Sequence, residues 1–214
     1  MGDESTVQTG SIKEAQMRST NGETMPTHYL MHQLQTVSSD TADQAQGAIL
    51  DIAMKQLGFI PNMYANMVNV PAVLDTYLHG YAQFRSDSGL TPAEQEVVFL
   101  AISKVNNCTY CTAAHSMIAD KMSKVPAPVL GAIRAGAAIA DVKLAAVFDF
   151  ATTMTISRGR PSNEAAQAFL AQGYTEKHMM SIVLAIAVKT LSNYSNHLFG
   201  TELDEKFAAY KVNA

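Results

Sequence analysis

Apolar residues recur on a helical period from about Ala48 almost to the C-terminus of this 214-residue chain. The spacing predicts helices over 44–57, 61–68, 71–87, 91–105, 108–122, 126–135, 141–157, 162–172, 175–191, 192–199 and 202–210. Helix breakers separate them: Gly58, Pro61, Pro71, the Ser86–Gly89 stretch, the Asn106–Asn107 pair, Pro126, Gly136 and the turn from Gly159 to Pro161. No window alternates on period two for long enough to make a strand, so the fold class is all-α. Residues 1–43 are polar, rich in Ser, Thr, Gln and Asp, and lack periodicity. They read as a mobile extension in front of a single helical domain over 44–214.

The pattern also repeats once. A shift of 84 residues lays Thr91–Cys111 over Thr175–Ser195, matching Leu100/Leu184, Ala101/Ala185, Ile102/Ile186 and Tyr110/Tyr194. Cys108 and Cys111 then fall on Ser192 and Ser195, and Glu96 on Met180. Two apolar helices can match in this way by period alone. Read as a true repeat, the second copy keeps the scaffold and has lost the chemistry.

Composition narrows the function classes. The formal charge of -4 offers no basic field for nucleic acid. The longest apolar runs, such as Ser181–Val188, are too short to span a bilayer, and no charged stretch followed by an apolar run marks a secretory leader. A cytoplasmic location without membrane contact is expected. In that compartment two cysteines are redox-active or half of a metal site rather than a structural staple.

Those two cysteines carry the chemistry. Cys108 and Cys111 frame Thr109 and Tyr110, and His115 follows one turn later. At about 100° per residue the three side chains share an arc of about 60° with Ile118 and Met122, while Thr109, Thr112, Ser116 and Asp120 lie on the other side. Asn106 or Asn107 is a suitable N-cap, placing Cys108 in the first turn, where free N–H groups and the helix dipole favour an anion. Stabilisation by about 1.4 kcal/mol would lower a thiol pKa by about one unit and raise its thiolate fraction at neutral pH several-fold. Glu96 sits in a preceding helix that is apolar nearly all round and needs a partner there. If the two helices fold together, His115 is that partner and a carboxylate–imidazole–thiol relay results. The same residues leave two other readings open: inert core cysteines, or a metal site made of Cys108, Cys111, His115 and Glu96. Haem attachment is excluded by Thr112, which stands where a His would follow the second Cys.

Glu96, eleven residues, Cys-x-x-Cys, three residues and His115 form a pattern that resembles the alkylhydroperoxidase D-like branch of the carboxymuconolactone decarboxylase family. The resemblance extends over Leu90–Ser116 and upstream over Leu57–Leu78, within a domain of about residues 45–210. It implies that Cys111 attacks a hydroperoxide through a sulfenic acid and that Cys108 donates a proton and then closes the disulfide. His115 and Glu96 would form the proton relay. It further implies no bound cofactor, re-reduction by a lipoyl- or thioredoxin-type dithiol, and assembly into a homo-oligomer. The decarboxylases of the family lack the cysteine pair. Members active in peroxide defence often carry a second His between the flanks of the cysteines, where this chain has Tyr110, so the implied relay is shorter.

The remaining candidates carry less. His28, His32, His79, His178 and His197 show no ligand spacing, and the 12 Met residues fall at core-filling positions. Arg158 and Arg160 flank a turn glycine and read as solvated charges. Glu94 reads as an exposed charge favouring a helix start.

Overall fold

The computed structural model describes residues 30–212, and its regular elements are helical. In chain order they are α1 (Gln44–Leu57), α2 (Asn62–Met67), α3 (Pro71–Asp87), α4 (Pro92–Val105), α5 (Thr109–Lys121), α6 (Ala127–Ala135), α7 (Val142–Ile156), α8 (Asn163–Ala171) and α9 (Glu176–Phe199). A 3-10 segment, Glu205–Tyr210, follows. The all-α class read from periodicity stands. Helix starts sit where local chemistry puts them. Asp43 and Thr91 make reciprocal capping boxes with Gln46 and Glu94, Asp141 and Ser162 accept from the backbone three residues on, and Pro71 and Pro92 occupy first-turn positions.

The core is organised around α4. Every residue from Glu94 to Ser103 is buried, because α5, α7 and α9 all pack against this helix. A helix enclosed on all sides must be apolar nearly all round, as this one is. α3 packs on α9 and reaches α4 through Tyr81 and Phe84, which lie on Phe99; Gly80 brings it close to α9, where a Cβ would stand 2.9 Å from Val188 Cγ2. That approach aims Tyr77, Tyr81 and Arg85, four residues apart on α3, at the centre of the bundle.

Three expectations change. The segment 175–199 is one continuous helix rather than two, since nothing between Leu191 and Ser192 breaks it. The stretch expected to be helical over 202–210 forms only the 3-10 segment. Thr112 and Ser116 are buried while Met122 is exposed, so the inward face of α5 is wider than the period implied. Of residues 1–43, positions 30–43 are described and lie on the body. Leu30 and Met31 donate to Leu198 O, Val37 donates to Ala65 O, and Thr36 donates to Asn66 Oδ1. No helix among the described residues is long and apolar enough to cross a membrane.

Where the repeat aligns, Thr175 caps α9 as Thr91 caps α4, with His178 reaching back where Glu94 does. The copies then diverge. The first breaks at Asn107, whose φ is 53°, and restarts at Cys108, whereas α9 runs on.

Candidate active site

The break after α4 positions the sulfurs. Asn106 ends α4 and Asn107 turns through the left-handed region, so Cys108 itself is the N-cap of α5. This corrects the expected Asn cap and moves Cys111 to the third position of the helix, still within the turn where free N–H groups favour negative charge. Both thiols are free and buried, at 1% and 2% exposure, and the pair approaches to 3.5 Å.

His115, one turn beyond Cys111, is buried against Phe99, with ring centroids 4.8 Å apart. Its Nδ1 lies 2.8 Å from Glu96 Oε2. The fully buried Glu96 gives its other oxygen, Oε1, to Arg85 Nη2. Arg85 also donates to Tyr81 OH at 2.6 Å and to Gln95 Oε1 at 3.1 Å, and its guanidinium lies over the Tyr81 and Phe99 rings. All four residues singled out from the sequence therefore meet in one place.

The electrostatics assign protonation states. Burial raises Glu96, but His115 and then Arg85 outweigh it and hold the carboxyl below its ordinary value. An ionised carboxylate only accepts, so the proton of the shared bond belongs to Nδ1 and Nε2 keeps its lone pair. Burial, followed by the charge of Lys189, lowers His115 despite the opposing pull of Glu96. The ring is neutral at pH 7 and able to take a proton. Burial also pushes Cys111 up. The Cys108 thiol, the Lys189 charge, His115 and Ser192 together override it, and Cys111 ends well below a normal thiol. Cys108 is driven the opposite way, first by its hydrogen bond to Cys111, then by burial and by the charge of Cys111. The two sulfurs are thus driven in opposite directions, Cys111 towards the thiolate and Cys108 towards the thiol, through the one hydrogen bond they share.

Several members of this cluster were not read from the sequence. Asn196 Nδ2 lies 3.3 Å from Cys111 Sγ and 3.7 Å from Cys108 Sγ, and Ser192 Oγ lies 3.9 Å from Cys111 Sγ. Lys189, fully buried on the same helix, sits 5.5 Å above the Phe99 ring. A signal existed for this residue: it is the single charge within the apolar run from Ile182 to Leu191. Ser192 had been marked only as the counterpart of Cys108 in the repeat, and Arg85 and Asn196 had no signal, since each is an ordinary residue on its own helix and gains meaning only from helix packing.

Other candidates fall elsewhere. Tyr110 donates to Asp204 Oδ2 at 2.5 Å and packs edge-on against Phe207. Its hydroxyl thus fastens the C-terminal segment instead of serving the sulfurs. Glu94 is buried, not exposed: it completes the capping box and accepts from Tyr174 OH at 2.9 Å and Lys143 Nζ at 3.2 Å. Arg158 and Arg160 are exposed, as expected. His28 lies outside the described residues. His79 and His32 are on the surface, His178 reaches back to the start of α9, and His197 stacks beside Tyr194. Among the described residues no group of three or more His, Cys, Asp or Glu is arranged to hold a metal ion.

Comparison with known proteins follows the same lines. The profile of the carboxymuconolactone decarboxylase family matches residues 71–153, which span α3 to most of α7. No curated protein matches the chain significantly. Among solved structures, the alkylhydroperoxidase AhpD core of an uncharacterized peroxidase-related protein from Ralstonia eutropha JMP134 superposes with a TM-score of 0.71 at 21% identity, covering 86% of this chain and 96% of that one. A peroxidase-related protein from Silicibacter sp. TM1040 gives 0.65 at 19% identity, over 88% and 97% of the two chains. The debrominase Bmp8, solved with 2,3,4-tribromopyrrole, gives 0.65 at 16% identity, over 87% and 96%.

Proposed function

We propose that this chain, which matches the carboxymuconolactone decarboxylase family over residues 71–153 and has the alkylhydroperoxidase D-like fold, is a thiol-dependent oxidoreductase that reduces hydroperoxides through Cys111 and Cys108. The observation that carries this reading is the 3.5 Å approach of the Cys108 and Cys111 sulfurs beside the 2.8 Å Glu96–His115 contact, in surroundings that push Cys111 down and Cys108 up.

The Cys111 thiolate attacks the distal peroxide oxygen and the O–O bond breaks. Cys111 becomes a sulfenic acid and the alkoxide leaves as alcohol, with the proton delivered from Cys108 or through His115 Nε2. The Cys108 sulfur then attacks the sulfenic sulfur, the S–S bond forms as the S–O bond breaks, and the hydroxide leaves as water; the two protons used are that of Cys108 and one taken up from solvent through His115 Nε2. A dithiol carrier of lipoyl or thioredoxin type, oxidised to its own disulfide, returns both cysteines to the reduced state. Glu96, fixed by Arg85, holds the imidazole in the tautomer that passes this proton. The proposal includes a homo-oligomer working in a reducing compartment such as the cytoplasm.

Burial of both sulfurs favours a second reading, a thiol sensor that oxidises once and turns over slowly. Peroxide consumption with lipoyl and thioredoxin-type donors separates the two. Steady turnover that Cys111→Ser abolishes supports the enzyme; a single stoichiometric oxidation with every donor supports the sensor. The assay panel includes 2,3,4-tribromopyrrole, since a structural neighbour is a debrominase.

A further inference from the structure

Lys189 is a lysine with no exposed surface, and its Nζ has no hydrogen-bond partner among the described residues. An ammonium in that position costs several kcal/mol unless a charge offsets it, and the Phe99 ring at 5.5 Å supplies only about 1–2 kcal/mol. Glu96 cannot serve, since one of its oxygens is taken by Arg85 and the other by His115. The direction of α9 shows what can. Positions 189, 192, 193 and 196 form one buried stripe, three or four residues apart, and Ser192 and Asn196 lie against the sulfurs. Lys189 stands one turn earlier on that stripe, beside the Phe99 ring that touches His115.

We propose that Lys189 is the fixed counter-cation of the Cys111 thiolate, so that the cysteine-free copy of the repeat supplies the charge that the cysteine-bearing copy uses. In the repeat, Lys189 aligns with Val105 of α4, and the charge belongs to the second copy alone. Charge balance supports the assignment. Arg85 and Lys189 bring two positive charges and Glu96 one negative, with His115 neutral. With those charges the cluster comes to zero when Cys111 is ionised. The other titratable groups around Cys111 are Cys108, Tyr64 of α2, Tyr77 of α3 and Tyr110 of α5, all pushed up by their surroundings and protonated at neutral pH. Lys189 acts through the sulfur as a positioning residue. Closing the disulfide removes the negative charge and leaves the lysine uncompensated, so the lysine favours the reduced pair and makes the disulfide more oxidising.

This inference rests on the thiol chemistry proposed above, and the test keeps the two apart. The full chain and its Lys189→Met, Lys189→Gln and Lys189→Arg variants are titrated by ultraviolet thiolate absorbance. Iodoacetamide labelling against pH, with mass spectrometry assigning the label to Cys111 or Cys108, runs in parallel. Met and Gln are expected to raise the Cys111 midpoint by at least about one pH unit, with labelling below it slowed about tenfold, whereas Arg retains most of the wild-type profile. In dithiothreitol redox buffers the Met variant shifts at least about tenfold towards disulfide, about 30 mV more reducing. A lysine that only packs would move the melting temperature and neither of these. A low wild-type midpoint that Met and Gln leave in place overturns the role of Lys189 alone. A wild-type midpoint in the ordinary thiol range overturns both this role and the reading beneath it.

Discussion

At the scale of single residues, the site divides by how far each contact reaches along the chain. Cys108, Cys111 and His115 lie within two turns of one helix, so spacing alone placed them on a common inward strip. Glu96 was legible because a carboxylate in an apolar helix needs a partner. Arg85, Lys189, Ser192 and Asn196 come from other helices, and no local pattern reports a contact between residue 111 and residue 196. The assigned roles predict different outcomes for the two sulfurs. Cys111→Ser is expected to abolish peroxide turnover, leaving no detectable activity. Cys108→Ser should permit one oxidation and stop at a Cys111 sulfenic acid, which dimedone trapping and mass spectrometry would detect. A Cys111→Ser protein that still turned over would move the nucleophile elsewhere. Glu96→Gln leaves the Arg85 guanidinium without its carboxylate and the imidazole without its orienting acceptor. A stability loss of about 3–5 kcal/mol in urea unfolding is expected, together with a lower kcat.

Among elements, local chemistry was the more readable part. Capping residues, prolines and glycines set the boundaries of α1 to α8 within a residue or so of the period-based ranges, because they act inside a single turn. The division of α9 failed because a run of Ser and Asn at 192–196 looks like a break when its burial is unseen. Ser192 and Ser195 instead donate to carbonyls one turn back on α9, Asn193 Oδ1 accepts from Asn106 Nδ2 at 2.9 Å, and Asn196 Nδ2 lies against the sulfurs. The close crossing of α3 and α9 was invisible for the same reason. It predicts that Gly80→Ala costs about 1–3 kcal/mol in thermal unfolding, since Val188 must yield to the new Cβ. Adding Val188→Ala is expected to restore part of that loss. Strictly additive losses in the double mutant would show that the crossing is looser than it looks. Tyr110→Phe, by contrast, should cost about 1–3 kcal/mol by freeing Asp204 while leaving peroxide turnover intact, because its hydroxyl serves the C-terminal segment.

For the whole molecule, Glu96 and His115 couple the fold to pH in one direction on the acid side of neutrality. The folded values of Glu96 and His115 both lie below their ordinary values of 4.5 and 6.5. The unfolded chain therefore binds more protons wherever pH lies between the folded and unfolded value of either group, and stability falls as pH falls through those windows. Below neutrality, one loss begins near pH 6.5, as unfolded His115 takes up a proton that the folded ring refuses. The second begins near pH 4.5, as the unfolded carboxyl protonates and Glu96 in the fold stays ionised between His115 and Arg85. Each contribution is fully present above the unfolded value of its group and is lost by the time pH has passed below the folded one. Urea unfolding of the reduced protein at a series of pH values checks this, and the fall between pH 7 and pH 5 is expected to shrink in His115→Gln. The variant keeps the bulk of the ring site but has no proton to take up. An unchanged acid slope there would mean that the imidazole titrates alike in the folded and unfolded chain, and a steeper one that the folded ring holds its proton, which would deny it the role of base beside Cys111.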